Sequence, residues 1–185
     1  PRFYVPLGMR KWFNAQGITS VTEPDWWESR ELAGVRIHCV PVQHWSQRTL
    51  IDRNQALWGG WVIEHGAQRF FFSGDMGYSQ DFRDIARRFG AFDFAAIPIG
   101  AYEPRWFMAP FHVNPAEAVQ IHLDLGARFS LGIHWGAFEL TDEPLDEPPV
   151  VLQQELARRG VAAERFFVLR HGETWRMPAS PAPPR

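Results

Sequence analysis

Apolar and polar positions alternate along the chain in short stretches typical of strands, and segments with helical spacing separate them. Val35, Ile37 and Cys39 alternate with polar neighbours, which predicts a strand with one buried face. After a turn at 65–68, the uninterrupted apolar run Phe70–Phe72 predicts the second strand of a hairpin, buried on both faces. The strands predicted in this way cover residues 35–42, 58–64, 70–72, 92–97, 129–133 and 166–169.

Three helices are predicted between these strands. In the first, Phe82, Ile85 and Phe89 lie on one face, with Ser79 placed to cap the start and Gly90 to end the helix. The second begins at the sequence Asn114-Pro115-Ala116-Glu117, a capping residue followed by proline and glutamate, and is predicted to end at residue 125. The third is predicted over 150–159. Alternating strands and helices indicate an α/β sandwich.

Composition narrows the class of protein. The 185 residues carry a formal net charge of −2, a balance that gives no electrostatic footprint for duplex nucleic acid, which normally needs a basic face. The single cysteine, Cys39, excludes a disulfide framework and a cysteine-rich zinc module, so histidine and carboxylate must supply any metal ligands. No stretch resembles a signal peptide or a membrane span, and a cytoplasmic location is expected. One domain is expected over 1–177, followed by a disordered proline-rich tail at 178–185.

Three polar residues follow predicted strands and have glycines nearby. These are His44, Asp75 and His134, and the carboxyl ends of strands in open α/β sheets are where ligands bind. Imidazole nitrogen and carboxylate oxygen suit Zn²⁺. Taken singly, such residues are more often turn or capping residues, and their spacing matches no compact zinc motif. The pattern therefore indicates a site without specifying a reaction.

Five motifs in the sequence are distinctive. The run from Ile97 to Met108, which reads IPIGAYEPRWFM, is the most specific of the five. The others are Gln43-His44-Trp45-Ser46, the run from Phe70 to Tyr78, the run from His112 to Ala118, and Ile133-His134-Trp135-Gly136. Through these motifs the sequence resembles the metallo-β-lactamase superfamily, and within it the N-acyl-phosphatidylethanolamine-hydrolysing phospholipase D family.

The resemblance implies a dinuclear zinc site in an αββα sandwich. It places His44 on the first zinc, Asp75 between both and His134 on the second. It also implies hydrolysis of the phosphodiester bond that joins phosphatidic acid to an N-acylethanolamine. A lactone or sugar-phosphate hydrolase and a non-catalytic interaction module remain alternatives. His112 is the second catalytic candidate beside Asp75, although a plain loop histidine explains it equally well.

The same resemblance makes the run around Arg105 a candidate for substrate binding. Arg105 would bind phosphate, although a structural pair with Glu103 or another carboxylate is at least as good an explanation. The predicted substrate-binding residues are Tyr102, Arg105, Trp106 and Met108.

One part of the family pattern is missing from the chain. The other zinc ligands of the family come from a His-x-His-x-Asp-His motif, and no two of the seven histidines here lie two positions apart. We therefore expect this chain to be the later part of the fold, to bind zinc weakly or not at all, and to be inactive alone. The expected substrate is phospholipid-like or another phosphodiester, and peripheral contact with a membrane is expected. We also expect the chain to associate with a second copy of itself or with the missing upstream segment.

Overall fold

The computed structural model describes residues 1–178, so the tail predicted at 178–185 lies outside the described residues except for its first position. Near the start of the chain, two short parallel strands, β1 (Phe3–Tyr4) and β2 (Val21–Thr22), flank the helix α1 (Arg10–Ala15). In the described part of the chain, no helix combines the length and the apolar character required to span a bilayer.

Seven further strands form one mixed sheet, and their order in the sheet follows their order in the chain. The strands are β3 (Ser29–Leu32), β4 (Val35–Val40), β5 (Gly60–His65), β6 (Gln68–Phe72), β7 (Phe94–Pro98), β8 (Phe129–Ile133) and β9 (Phe166–Phe167). The strands from β3 to β6 pair antiparallel, and those from β6 to β9 pair parallel. The carboxyl ends of β4, β6, β7 and β8 therefore lie at the same edge of the sheet.

Four helices follow in the gaps between the strands: α2 (Asp81–Phe89), α3 (Arg105–Met108), α4 (Pro115–Asp124) and α5 (Glu147–Arg159). On one face of the sheet, Phe71 contacts Phe82 of α2 edge to face, and both side chains are fully buried. Leu152 of α5 belongs to the same core. The α/β class predicted from the alternating pattern is confirmed.

The prediction that Phe70–Phe72 is buried on both faces is wrong. Phe71 is fully buried, whereas Phe72 is 40% exposed. The strand register places Phe72 beside Trp61 on the face opposite to α2. On that face Trp175 packs against Phe94, Phe129 and Phe167, which lie on the strands beyond β6. The apolar run therefore marks a sheet with two apolar faces, only one of which the described helices cover. The self-association predicted from such a face stays a prediction.

The predicted boundaries differ from the structure by a few residues. Helix α5 begins at Glu147 rather than at 150, because the prolines that follow Glu147 fit the first turn of a helix. Strand β9 is only two residues long, and β5 begins at Gly60 rather than at Trp58, whose indole donates a hydrogen bond to the Val42 carbonyl. The start of α4 is confirmed: Asn114 and Glu117 form the complete capping box.

Candidate metal centre

The three predicted ligands come together at the carboxyl edge of the sheet. His44 follows β4, Asp75 follows β6, and His134 comes directly after β8. The Nε2 atom of His44 lies 4.0 Å from Oδ2 of Asp75, and Nε2 of His134 lies 3.4 Å from Oδ1. The carboxylate thus stands between two imidazoles and presents one oxygen to each.

His112 completes the group, although it comes from the loop before α4. Its ring centroid lies 5.4 Å from that of His44 and 5.4 Å from that of His134. The backbone N–H of Val113 donates to the Met76 carbonyl and so joins this loop to the one that carries Asp75. The structure therefore brings His112 to the predicted ligands, and its catalytic role stays a prediction.

Two glycines allow the loops to approach one another closely. A Cβ atom on Gly100 would lie 2.5 Å from the backbone oxygen of His134, whose own φ of 58° is in the left-handed region. A Cβ atom on Gly77 would lie 2.4 Å from the Pro110 oxygen. Larger residues at either position would push apart the segments that hold His134 and Asp75.

The electrostatics favour an anionic carboxylate among histidines. The hydrogen bond and charge of His134 lower the pKa of Asp75, and Asp75 in turn raises the pKa of His134. Burial lowers the pKa of His44, although the nearby Asp75 opposes this, and burial lowers the pKa of His112 to about 4. His44 and His112 are therefore neutral near pH 7, the form in which an imidazole nitrogen can bind a metal.

The donor types in this group fit zinc, whereas their number falls short of a complete site. The buried Nδ1 atoms of His44 and His112 make no hydrogen bond of ordinary geometry to any described residue, although the Phe111 backbone lies close enough to His44 to raise its pKa. One ion between His44 and Asp75 and another between Asp75 and His134 would each receive two protein ligands, fewer than the three usual in catalytic zinc sites. Within residues 1–178, no three or more His, Cys, Asp or Glu side chains are arranged to hold one metal ion.

The predicted substrate-binding residues divide into two pairs. Tyr102 is buried and donates its hydroxyl to Glu147 at 2.6 Å, and Arg105 is paired with Glu117, so these two side chains already have partners within the fold. The sequence allowed Arg105 to form a structural pair with Glu103 or another carboxylate. In the structure its guanidinium pairs with Glu117, not with Glu103. Trp106 is 84% exposed and Met108 half-buried, and contact of any of the four with a substrate stays a prediction.

Sequence reasoning missed two residues beside the site. Glu143 accepts hydrogen bonds from the backbone N–H groups of Ala101, Tyr102 and Glu103, and it thereby fixes the segment after β7. His171 lines the same cavity of about 410 Å³ as Glu143 and His134. For His171 a signal was present, because it follows the last strand and has a glycine directly after it, whereas the predicted ligand His134 follows β8 and has a glycine two positions after it. Nothing in the acidic, proline-rich loop singled out Glu143.

A second cavity, of about 780 Å³, opens on the other side of the centre. Its lining includes His44 and Asp75, and also Lys11, Trp12 and Arg48. His134 and His44 thus face different cavities: His134 lines the first together with Phe138 and Leu140, and His44 lines the second.

Comparison with known proteins identifies relatives over almost all of the chain. The family described as the β-lactamase superfamily domain matches residues 2–135. The chain is 44% identical over 186 residues to N-acyl-phosphatidylethanolamine-hydrolyzing phospholipase D 1 of Caenorhabditis elegans, covering 94% of this chain and 52% of that protein. It is 38% identical over 181 residues to the mitochondrial N-acyl-phosphatidylethanolamine-hydrolyzing phospholipase D of Saccharomyces cerevisiae, covering 94% and 38%. The chain therefore spans about half or less of these curated relatives.

Solved structures agree on the fold. Igni18, a metallo hydrolase of Ignicoccus hospitalis, superposes with a TM-score of 0.73 at 18% identity over 93% of this chain and 66% of its own. A possible metal-dependent hydrolase of Veillonella parvula superposes with a TM-score of 0.71 at 13% identity over 92% and 64%. At these identities the likeness concerns the fold alone.

Proposed function

The chain belongs to the β-lactamase superfamily, and from this premise we propose that its site is one side of a dinuclear zinc centre that hydrolyses a phosphodiester bond in an N-acylated phospholipid. The position of Asp75 carries the proposal: one carboxylate oxygen faces His44 and the other faces His134. An aspartate that only caps a helix or closes a turn binds nearby backbone N–H groups. Asp75 instead lies beside two histidines that are 90 positions apart, at 44 and 134, and that follow different strands. The substrate class is supported by the 44% identity to the phospholipase D of Caenorhabditis elegans.

In this proposal, His44 and His134 would each hold one zinc ion, and Asp75 would contribute to holding both. When bound, zinc would supply a nucleophilic hydroxide at neutral pH and would stabilise negative charge on the phosphoryl oxygens. The protein's own part is to hold the donors in place: Gly100 permits the close approach behind His134, and Asp75 stays ionised because its pKa is lowered. The third ligand of each ion must come from outside the present group, in agreement with the motif that the sequence lacks.

We propose that His112 acts on the substrate or on the leaving group. Its ring centroid lies 5.4 Å from those of His44 and His134, and its low pKa keeps it neutral, so it can accept a proton at pH 7. The C=O of the same residue accepts a hydrogen bond from Arg105 at 2.8 Å, which fixes the backbone behind the ring.

The test is turnover of a fluorescent N-acyl-phosphatidylethanolamine by the protein expressed from its complete gene, with the product N-acylethanolamine measured by chromatography. We expect release that requires zinc and that is lost in Asp75→Asn. The matched control is Asp93→Asn, which removes a carboxylate at the opposite edge of the sheet, next to Arg69. Hydrolysis of a lactone or sugar phosphate in preference to the phospholipid would instead support the alternative that the protein is a lactone or sugar-phosphate hydrolase.

A non-catalytic role is the second candidate, and one observation favours it. Within the described residues, no group of three or more potential ligands surrounds a single metal position. If the complete gene encodes no further histidines and carboxylates able to reach Asp75, the chain is an interaction module on a hydrolase fold. In that case neither the phospholipid nor a lactone would be hydrolysed at any zinc concentration.

A further inference from the structure

The segment that follows β7 forms a concave group of backbone N–H donors. The N–H groups of three successive residues, Ala101, Tyr102 and Glu103, converge on one side of the chain. The φ of 63° at Ala101 is in the left-handed region and turns the backbone into the kind of concavity that binds anions. We call these three N–H groups the nest. Ala101 and Tyr102 are both buried, so an anion in the nest is largely shielded from water.

A carboxylate of the chain itself occupies the nest. Oε1 of Glu143 accepts from the N–H of Ala101 at 2.6 Å and from that of Tyr102 at 3.3 Å. Oε2 accepts from the N–H of Glu103 at 3.0 Å. Hydrogen bonds to an ionised carboxylate are stronger than those between neutral groups. Because Glu143 lies in the loop that begins at His134, these bonds tie that loop to the end of β7.

The nest lies directly behind His134. Gly100, the residue before the nest, approaches His134 so closely that a Cβ atom there would lie 2.5 Å from the His134 backbone oxygen. Besides the hydrogen bond of Asp75, one with the Gly100 backbone raises the pKa of His134. Hydrogen bonds of this kind fix the orientation of a histidine that binds a metal. A displacement of the nest would therefore disturb the placement of the His134 ring.

Arg105 connects the nest to His112. Its guanidinium donates to the Tyr102 carbonyl at 3.4 Å and to the His112 carbonyl at 2.8 Å. The backbone N–H of Arg105 donates to the Glu103 carboxylate at 2.9 Å. The residues of the nest therefore also fix the backbone of His112, so one carboxylate stands behind two histidines of the candidate metal centre.

We propose that Glu143 is a positioning residue of the metal centre. By filling the nest, its carboxylate holds Gly100 against His134 and, through Arg105, holds the loop of His112. Glu143 thus acts through the segment it binds, without being a metal ligand itself. The proposal rests on the proposed function, in which His134 holds zinc and His112 acts on the substrate.

Zinc affinity and turnover are measured separately, in the protein expressed from its complete gene. Competition with a chromogenic chelator gives the zinc affinity without any substrate. For Glu143→Ala we expect this affinity to fall by about tenfold or more, as it does when the hydrogen-bond partners behind metal ligands are removed. We expect kcat for the N-acylated phospholipid to fall by a similar factor with KM little changed, because the loss concerns the reacting groups.

Chemical rescue separates the role of the carboxylate from that of the side chain's bulk. Formate carries a single carboxylate and can enter the nest that Glu143→Ala vacates, so it should restore the zinc affinity and kcat of the variant and leave the wild type unchanged. Glu143→Gln keeps one acceptor oxygen and should lose less of both quantities than Glu143→Ala. It also carries the experiment if the alanine variant does not fold.

The matched control removes another carboxylate from the same loop. Glu139 is exposed, and Glu139→Ala should keep the zinc affinity and kcat of the wild type. Circular dichroism verifies that the variants fold, and thermal unfolding measures their stability.

Wild-type zinc affinity in both Glu143 variants would overturn the proposal. So would a lower melting temperature together with a loss of zinc affinity that formate does not reverse, since Glu143 would then serve the stability of the fold alone. A complete protein that binds zinc and hydrolyses no phospholipid would reject the proposed function, while the zinc affinities of the variants would still decide the role of Glu143. A complete protein that binds no zinc would overturn both.

Discussion

The guanidinium of Arg105 donates two hydrogen bonds to the carboxylate of Glu117, at 3.0 and 2.8 Å, and a further one to the backbone carbonyl of His112 at 2.8 Å. The same carboxylate accepts from the backbone N–H of Asn114 at 3.1 Å and so completes the cap of α4. One ion pair therefore joins the short helix after β7, the loop of His112 and the first turn of α4.

Loss of this ion pair should destabilise the protein and loosen the loop that carries His112. For Arg105→Gln we expect the free energy of unfolding to fall by about 1–3 kcal/mol, because the partly buried Glu117 loses its partner and the His112 carbonyl loses a donor. Urea denaturation followed by tryptophan fluorescence measures the change. Arg158→Gln is the control: its pair with Glu155 is exposed on α5 and should leave the urea midpoint unchanged. Equal shifts in both variants would show that the Arg105 pair contributes no more than a surface pair.

The buried His122 predicts a pH dependence of stability. Burial, together with the charge of Arg165, lowers the pKa of His122 to about 4, whereas an unfolded histidine titrates near ~6.5. Between these values the unfolded chain binds the additional proton. Stability from this group is therefore complete above pH ~6.5 and falls with decreasing pH toward about 4, by up to about 3 kcal/mol.

The variant His122→Asn isolates this contribution, because an amide can replace the hydrogen bond to Ser130 without titrating. Urea unfolding at several pH values should show that the variant loses less stability than the wild type between pH ~6.5 and ~4. His65→Gln, at the exposed end of β5, should keep the wild-type slope. If His122→Asn keeps that slope as well, another group accounts for the acid sensitivity.

The positions of His44, Asp75 and His134 could be predicted because a strand pattern fixes where the carboxyl edge of a sheet lies. The apolar alternation locates the strand ends to within a few residues, and polar side chains next to glycines then mark the edge. The capping box of α4 was equally readable, because Asn114 and Glu117 are local in the sequence. Features of this kind depend on spacing over a few residues.

The contacts that the sequence did not reveal depend on long-range packing. Glu143 binds backbone N–H groups about 40 positions away in the sequence, and no local pattern marks a carboxylate that will accept from backbone N–H groups. Phe72 illustrates the same point for burial. An apolar run is consistent with a strand covered on both faces, but whether a second layer lies against it depends on residues far from the run.

Cys39 should be unreactive in the folded protein. It is fully buried, and desolvation raises the pKa of its thiol to about 12, so almost no thiolate is present at pH 8. We expect no reaction with a disulfide reagent such as Ellman's reagent until denaturant is added, after which one thiol per chain should react. Fast labelling of the native protein would show that β4, which carries Cys39, opens readily.

Zinc binding by residues 1–185 alone tests how much of the metal centre this chain contains. Each ion would receive two protein ligands, so we expect well under one zinc per chain by elemental analysis after dialysis.

The site geometry also predicts which substitution removes more of the zinc that remains bound. Asp75→Asn should remove more of it than His44→Gln, because the carboxylate faces both imidazoles and the imidazole of His44 faces one side only. His65→Gln serves as the control for nonspecific binding by an exposed histidine. Two tightly held zinc ions per chain would show that His112 or another residue completes the ligand sets, and the inference of an incomplete site would then be wrong.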